Sequence, residues 1–518
     1  MKYWVIPEEM AEYDRRTIEK GTPGDVLMER AGSAAADMVM QMISPDDGPV
    51  IVFAGPGNNG GDGLVLARKL REKSFYAHVV LATAAGKSLS HQCQTNLSRF
   101  VQDGGIVVPL NKMKKLPDSP SLVVDALLGT GFRGKIEGVF ADCLIKLKEY
   151  SCIVLAVDTP SGIDGKTGDA DPLTVRADVT VTFGAPKAGL IFPPGCGYSG
   201  AIFTADIGIE VERMKNRMVP GLKEVSALLP ERPVDGHKGT FGKLLLVGGS
   251  EKMPGAPQLM SLGALRSGAG LVTLAVPLSA HQLIAGRIPE VISSYFLPGD
   301  ATGIPDPSGF QAAAIGPGMG NSPATRKVVN YILNNWRIPL VLDADALNVM
   351  DNPSEILKNY DEKLIITPHP GEMSRLVKCD PSNIASRSGA ARKLAQSSGI
   401  TVVLKGRPTM IFSPDKGTGT IAAGNNGLAT GGSGDILTGI ISSLLAQGME
   451  PFDAGMLGVY VHGLAADMAI EHSSERSLIP SDIADFLGSA FREIENGKHS
   501  NLLTSGGNWR SNFYDFQR

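Results

Sequence analysis

Gly424-Asn425-Asn426-Gly427-Leu428-Ala429-Thr430-Gly431-Gly432-Ser433-Gly434-Asp435 is the stretch on which the reading of this chain turns. Gly431, Gly432 and Gly434 leave the backbone free to curl around an anion. Straight after them Ile436, Leu437, Ile440, Ile441, Leu444 and Leu445 recur at helical period. A glycine loop that opens an amphipathic helix aims unpaired N–H groups and the positive end of the helix dipole at whatever lies above it. Phosphate is the usual occupant. Asp435 carries the wrong charge for a phosphate ligand. It carries the right one for a base that takes a proton from a hydroxyl as that hydroxyl attacks phosphorus. The plainer alternative is a helix cap, since Asp is common at helix starts.

Around that stretch lie 518 residues, more than one hydrophobic core serves, so two or more domains are expected. Apolar residues make up 43%, aromatics only 6%, and 62 residues are glycine, which favours a loop-rich α/β enzyme over a coiled coil or a disordered chain. A formal net charge of −4 argues against a nucleic-acid surface. The opening MKYWVIPEEMAEYDRRT has no apolar segment behind a basic one, and no apolar run reaches a membrane span. A cytoplasmic protein with no membrane partner is the expectation. Cys93, Cys143, Cys152, Cys196 and Cys379 are scattered without a CxxC and read as reduced thiols, not as disulfides or a zinc site.

Buried β runs at 49–54, 76–83, 121–127, 153–158 and 178–183 alternate with helical segments such as 64–73 and 137–150. That is the βαβ rhythm of a parallel sheet covered on both faces. It lapses among Pro220, Pro230 and Pro233, then restarts with strands at 243–247, 271–276, 312–315, 340–342, 364–366 and 402–404. The organisation expected is a domain over 1–215, a linker over 216–234, a second α/β domain over 235–498 and a tail over 499–518 that either docks on a partner subunit or is disordered. In the second domain the loops GPGMG (316–320), DADALN (343–348) and TPHPGE (367–372) follow strands, and KGRPT (405–409) sits in a strand-turn-strand. Groups at the carboxyl ends of strands in an open α/β sheet converge on the ligand crevice, so these loops and the helix at Asp435 make one site.

The motifs HKGTFGKLLLVGGS, MPGA, RSGAGLVTLAVP, AAIGPGMG, VLDADALN, TPHPGEM, KGRPT and NNGLATGGSGD, in that order from about His237 to His462, resemble the ADP/ATP-dependent NAD(P)H-hydrate dehydratase family. The resemblance implies a ribokinase-like fold that repairs NADH or NADPH hydrated across a double bond of the nicotinamide ring. It implies ADP or ATP, with magnesium, as co-substrate. On matching positions it implies that Lys405, Gly406, Arg407, Pro408, Thr409 and Gly434 contact the nucleotide. Ala256, Gly318, His369 and Asp435 would then face the hydrated cofactor, with Asp435 catalytic. A small-molecule kinase such as a hydroxymethylpyrimidine or thiazole kinase is the competing reading, because GSGD serves that chemistry too.

In the first domain Gly55-Pro56-Gly57-Asn58-Asn59-Gly60 and Gly129-Thr130-Gly131-Phe132-Arg133-Gly134 both match GxGxxG, and the first follows a strand and opens a helix. The next strand ends Leu81-Ala82-Thr83, with no acid to hold a ribose 2′-hydroxyl, which counts against hydride transfer on a Rossmann-like, doubly wound domain. The fuller set NNGGDG (58–63), DALLGTG (125–131), DTPSGID (158–164) and FGAPK (183–187) resembles the NAD(P)H-hydrate epimerase family over about Pro7 to Gly208. That resemblance implies substrate binding by Asn58, Asn59, Gly60, Gly61, Asp62, Gly129, Thr130, Gly131, Phe132, Arg133, Gly134, Lys135 and Asp158. It also implies a potassium ion on Asn59, Asp125 and Ser161, oxygen ligands that suit a hard cation. Asp158 is the candidate acid/base. Turn formation is the plainer reading of Asp125 and Asp158, and a non-catalytic interaction scaffold the plainer reading of the domain. Both families commonly form homo-oligomers.

Overall fold

A computed structural model describes residues 2–83, 88–496 and 502–504. It divides into two compact units, residues 1–214 with 501–518 and residues 215–500.

The first unit is built on seven parallel strands: β1 (Val50–Ala54), β2 (Ala77–Leu81), β3 (Ile106–Val108), β4 (Leu122–Ala126), β5 (Ile153–Val157), β6 (Val179–Phe183) and β7 (Ala201–Ala205). Their order is β3-β2-β1-β4-β5-β6-β7. The strand period of two divides the VIVFA of β1 between two cores. Val50, Val52 and Ala54 join the core under the helices Gly24–Met42 and Asn58–Glu72, while Ile51 and Phe53 join the one under Val139–Lys148. The chain reverses its direction of winding between β1 and β4, so the loops after those strands face one crevice. β3 and β7 are strands that the periodicity did not reveal.

The second unit carries β8 (Met218–Val219), β9 (Lys243–Val247), β10 (Leu271–Pro277), β11 (Val291–Phe296), β12 (Ala312–Ile315), β13 (Leu340–Leu342), β14 (Leu364–Ile366), β15 (Thr401–Leu404), β16 (Thr409–Ser413) and β17 (Gly417–Ile421). Within this unit the order is β8-β17-β16-β15-β14-β13-β12-β9-β10-β11. Strands β9 to β15 run parallel, and β16 folds back antiparallel on β15 to give the expected strand-turn-strand around 405–409. The winding reverses between β9 and β12. Helix Ser433–Ala446 packs on Ala256–Arg266, and Ile436, Leu437, Ile440, Ile441, Leu444 and Leu445 are all buried, as their spacing requires.

The linker expected over 216–234 is not one. β8 pairs with β17, and helix Leu222–Ser226 buries Leu222 and Val225, so these residues belong to the second unit. Of its prolines, Pro220 lies between β8 and that helix, and Pro230 and Pro233 follow the helix outside any regular element. The tail expected over 499–518 lies outside the described residues except for Leu502–Thr504, a strand (β18) antiparallel to β7. All five cysteines are free. No helix among the described residues is long and apolar enough to cross a membrane.

Candidate active sites

The crevice at the end of β1 and β4 is a cleft of about 650 Å³, lined by Asn58, Asn59, Asp62, Gly129, Thr130, Gly131, Phe132, Asp158 and Lys187, with Asp14 from helix Pro7–Glu19. The GPGNNG turn is tight because it must be: a Cβ on Gly60 would stand 1.8 Å from the Gly55 carbonyl oxygen. Gly60 and Gly61 are buried behind the turn. Arg133, Gly134 and Lys135 are exposed and outside the cleft lining, with Arg133 Nε 3.3 Å from Asp164.

Asp158 follows β5 at φ +63°. Its Oδ1 accepts hydrogen bonds from Lys187 Nζ (2.5 Å) and Thr182 Oγ1 (3.2 Å), and Lys187 also donates to the Phe183 carbonyl (3.0 Å). Lys187 is 2% exposed, so the pair is a fixed dipole under the cleft. Burial pushes the Asp14 carboxyl up to about 6, with the Asp158 carboxylate raising it further and Lys187 opposing. Asp62 is pushed well up by burial and by its acidic neighbours Asp158 and Asp14.

Beside the cleft, Asp125 is 1% exposed and burial raises its carboxyl. Oδ2 accepts from the Ser161 amide (2.8 Å) and Oδ1 from Ser161 Oγ (2.5 Å) and the Leu127 amide (3.2 Å). None of these donors is cationic. Both amide atoms of Asn59 are buried without a hydrogen-bond partner. A buried acid lacking a counter-charge and an orphaned amide oxygen fit a bound monovalent cation.

In the second unit a cavity of about 530 Å³ is lined by His369, the whole run Lys405–Thr409, and Gly434 and Asp435. Gly432, at φ +96°, caps the helix and makes Asp435 its third residue. Lys405 Nζ donates to Asp343 Oδ1 (2.7 Å) and lies 3.8 Å from Glu372. Thr438 Oγ1 donates to Asp343 Oδ2 (2.7 Å), tying the acid to the helix. Burial disfavours the Lys405 ammonium, but Asp343, Glu372 and Asp435 outweigh it and raise its pKa. Burial, then the Asp343 carboxylate, pushes Asp435 up to about 7 while Lys405 pulls the other way. His369 Nδ1 accepts from the amides of Gly371 (3.0 Å) and Glu372 (3.3 Å), and burial lowers its pKa, so a neutral imidazole keeps Nε2–H as a donor. His462 is pushed down to about 4 by burial and donates from Nε2 to the Ser433 carbonyl (3.0 Å).

Ala256 and Gly318 meet each other where β9 and β12 diverge: a Cβ on Gly318 would stand 2.9 Å from that of Ala256. They lie outside the lining of the Asp435 cavity. Sequence reading passed over Asp14, Lys187, Asp343, Glu372, Thr438 and His462 as site residues. Lys187, Asp343 and Glu372 stood inside quoted motifs; nothing near Asp14 in the sequence signals a role.

The NAD(P)H-hydrate dehydratase model matches residues 244–488, and the YjeF-related protein N-terminus model matches 24–189. The bifunctional NAD(P)H-hydrate repair enzyme Nnr of Moorella thermoacetica is 36% identical over 516 residues, 95% of this chain and 97% of that protein. The chain belongs to the bifunctional NAD(P)H-hydrate repair enzyme family. The Escherichia coli K12 member is 34% identical over 476 residues, covering 88% of this chain and 87% of its own. The ADP/ATP-dependent NAD(P)H-hydrate dehydratase of Bacillus subtilis, crystallised with ATP and magnesium, is 33% identical, with TM-score 0.49 over 54% of this chain and 99% of that one. A bifunctional repair enzyme needs two sites in one polypeptide, and each unit holds a cavity that can serve as one.

Proposed function

We propose that the second unit dehydrates the S hydrate of NADH or NADPH at the expense of ADP or ATP, and that the first interconverts the R and S hydrates. The observation that carries the first half is Asp435: a carboxyl tuned to about 7 at the start of a glycine-capped helix, in one cavity with 405–409 and His369. Hydroxide leaves poorly and phosphate leaves well. Asp435 takes the proton of the C6 hydroxyl while that oxygen attacks the terminal phosphoryl group. The N–H groups around Gly432–Gly434 and the Lys405 ammonium hold the charge that develops. The ring nitrogen lone pair expels phosphate, and loss of a proton from C5 restores the dihydropyridine. Magnesium accompanies the nucleotide and neutralises its phosphate oxygens.

Hydration yields both C6 epimers, so a dehydratase selective for S strands half the pool unless R is returned to it. In the first unit Asn58, Asn59, Asp62 and Gly129 to Phe132 cradle the pyrophosphate and ribose, with Arg133, Gly134 and Lys135 left outside the cleft, and the Asp158–Lys187 pair lies at the damaged ring. Asn59 Oδ1, Asp125 and the Ser161 carbonyl would hold potassium, whose charge offsets that of Asp125 and fixes the two loops. We further propose a cytoplasmic homo-oligomer. The decisive assay supplies the S hydrate with ADP or ATP and magnesium. NADH and free phosphate in equal amounts support the reading; a stable phosphorylated alcohol favours a small-molecule kinase.

A further inference from the structure

We infer that Asp14 is the proton-exchanging group of the first unit's cleft, moving one proton between the C6 hydroxyl and the ring nitrogen of the hydrated nicotinamide. The inference rests on the epimerase reading above and shifts the acid/base role from Asp158 to a residue outside every motif that carried that reading.

Three observations lead there. Asp158 is committed: its Oδ1 already receives Lys187 and Thr182, and those contacts would have to break before that oxygen could reach a substrate atom. Asp14 lines the same cleft from helix Pro7–Glu19, is half-buried, and has no hydrogen-bond or ion-pair partner among the described residues. Asp62, on helix Asn58–Glu72, lines the same cleft and has no hydrogen-bond or ion-pair partner among the described residues, and burial raises its carboxyl, with Asp158 and Asp14 adding to the rise. The charged groups felt by Asp14 are Asp158 after β5 and Lys187 after β6, with Asp62 coupled to it across the cleft. They leave Asp14 at about 6, able both to give and to accept.

The step balances without water or a second reagent. Protonated Asp14 gives its proton to N1 while its other oxygen takes the proton of the C6 hydroxyl. The N1–C6 bond breaks, its electron pair stays on nitrogen, and C6 becomes an aldehyde. Rotation about C5–C6 presents the opposite carbonyl face. N1 then attacks C6, its proton returns to Asp14, and Asp14 returns a proton to the new hydroxyl oxygen. The product is the other epimer and Asp14 ends as it began. Asp62, whose protonated form burial favours, can donate a hydrogen bond to the opened carbonyl oxygen.

The test uses the full chain and the R hydrate of NADH without nucleotide, following epimer interconversion from pH 5 to 8.5. For the wild type, kcat/KM should fall about tenfold per pH unit above about 6. Asp14→Asn should lose about 100-fold or more in kcat, keep KM within a few-fold, and lose that limb, while Asp14→Glu recovers part of the rate. The retained KM and the partial recovery in Asp14→Glu show that the first unit is folded, and dehydration of the S hydrate by the same Asp14→Asn preparation should be unchanged. Wild-type kcat with the limb intact in Asp14→Asn, or a change in KM alone, overturns the assignment and leaves the epimerase reading standing. A wild type that leaves both epimers untouched overturns the epimerase reading, and the assignment with it.

Discussion

Asp435 is half-buried and Asp125 fully buried, and their surroundings set the two acids to opposite uses. Asp435 is raised to about 7 by burial and Asp343, so at neutral pH it is poised to take a proton. Its folded value lies above the unfolded one, so its ionised form destabilises the fold; the cost is absent below about pH 4, grows through the interval and is complete above about 7. Asp435→Asn should therefore gain stability at pH 8, roughly 1–4 kcal/mol, and none at pH 4, which thermal melts at the two pH values would read. In the wild type, kcat/KM for the S hydrate should rise about tenfold per pH unit up to about 7 and level off above it; a profile that falls over that range would remove Asp435 as the base. Asp125, with no cation among its partners, calls for one. Epimerisation should rise with potassium and resist chelators, and Asp125→Ala should weaken it without loss of fold. Equal rates in sodium, potassium and chelator-treated buffer would contradict the site.

Among the elements, the helix that presents Asp435 is held by contact closer than side chains allow. Gly439 and Gly263 let helices Ser433–Ala446 and Ala256–Arg266 touch backbone to backbone: a Cβ on Gly439 would stand 2.0 Å from the Met260 carbonyl oxygen, and one on Gly263 2.3 Å from that of Ile436. Gly263→Ala should push the helices apart, costing about 1–3 kcal/mol as overpacking does, and lower the dehydratase kcat while epimerisation is kept. Equal loss of both activities would show a general folding defect instead. Helices and strands of this kind were largely legible beforehand. β9, β12, β13 and β14 fall where the apolar runs placed them, because a strand buried on both faces is apolar throughout. β11 was not legible: it is an edge strand whose Ile292 and Tyr295 stay half-exposed, so its VISSYF pattern carries little contrast. β8 was hidden by its two-residue length and the prolines around it. The site was legible where function forces a motif on a loop, as at 405–409 and 432–435, and illegible where a lone side chain arrives from elsewhere. Asp14 on its helix and Thr438 behind Asp343 show this.

Across the whole molecule, two α/β units with separate cores carry two sites whose chemistry is complementary. In the proposed mechanism one moves a proton and needs no nucleotide, and the other spends a phosphoryl group to make a leaving group. The first matters only if the second is selective for one epimer. The most direct test supplies an equal mixture of R and S hydrates of NADH to the full chain with ADP or ATP and magnesium, following dihydronicotinamide absorbance and free phosphate to completion. The wild type is expected to recover the whole pool with one phosphate released per NADH, and Asp435→Asn to recover none while still interconverting the epimers. Recovery by the wild type that stops at half the pool, or undiminished recovery by Asp435→Asn, would contradict the account.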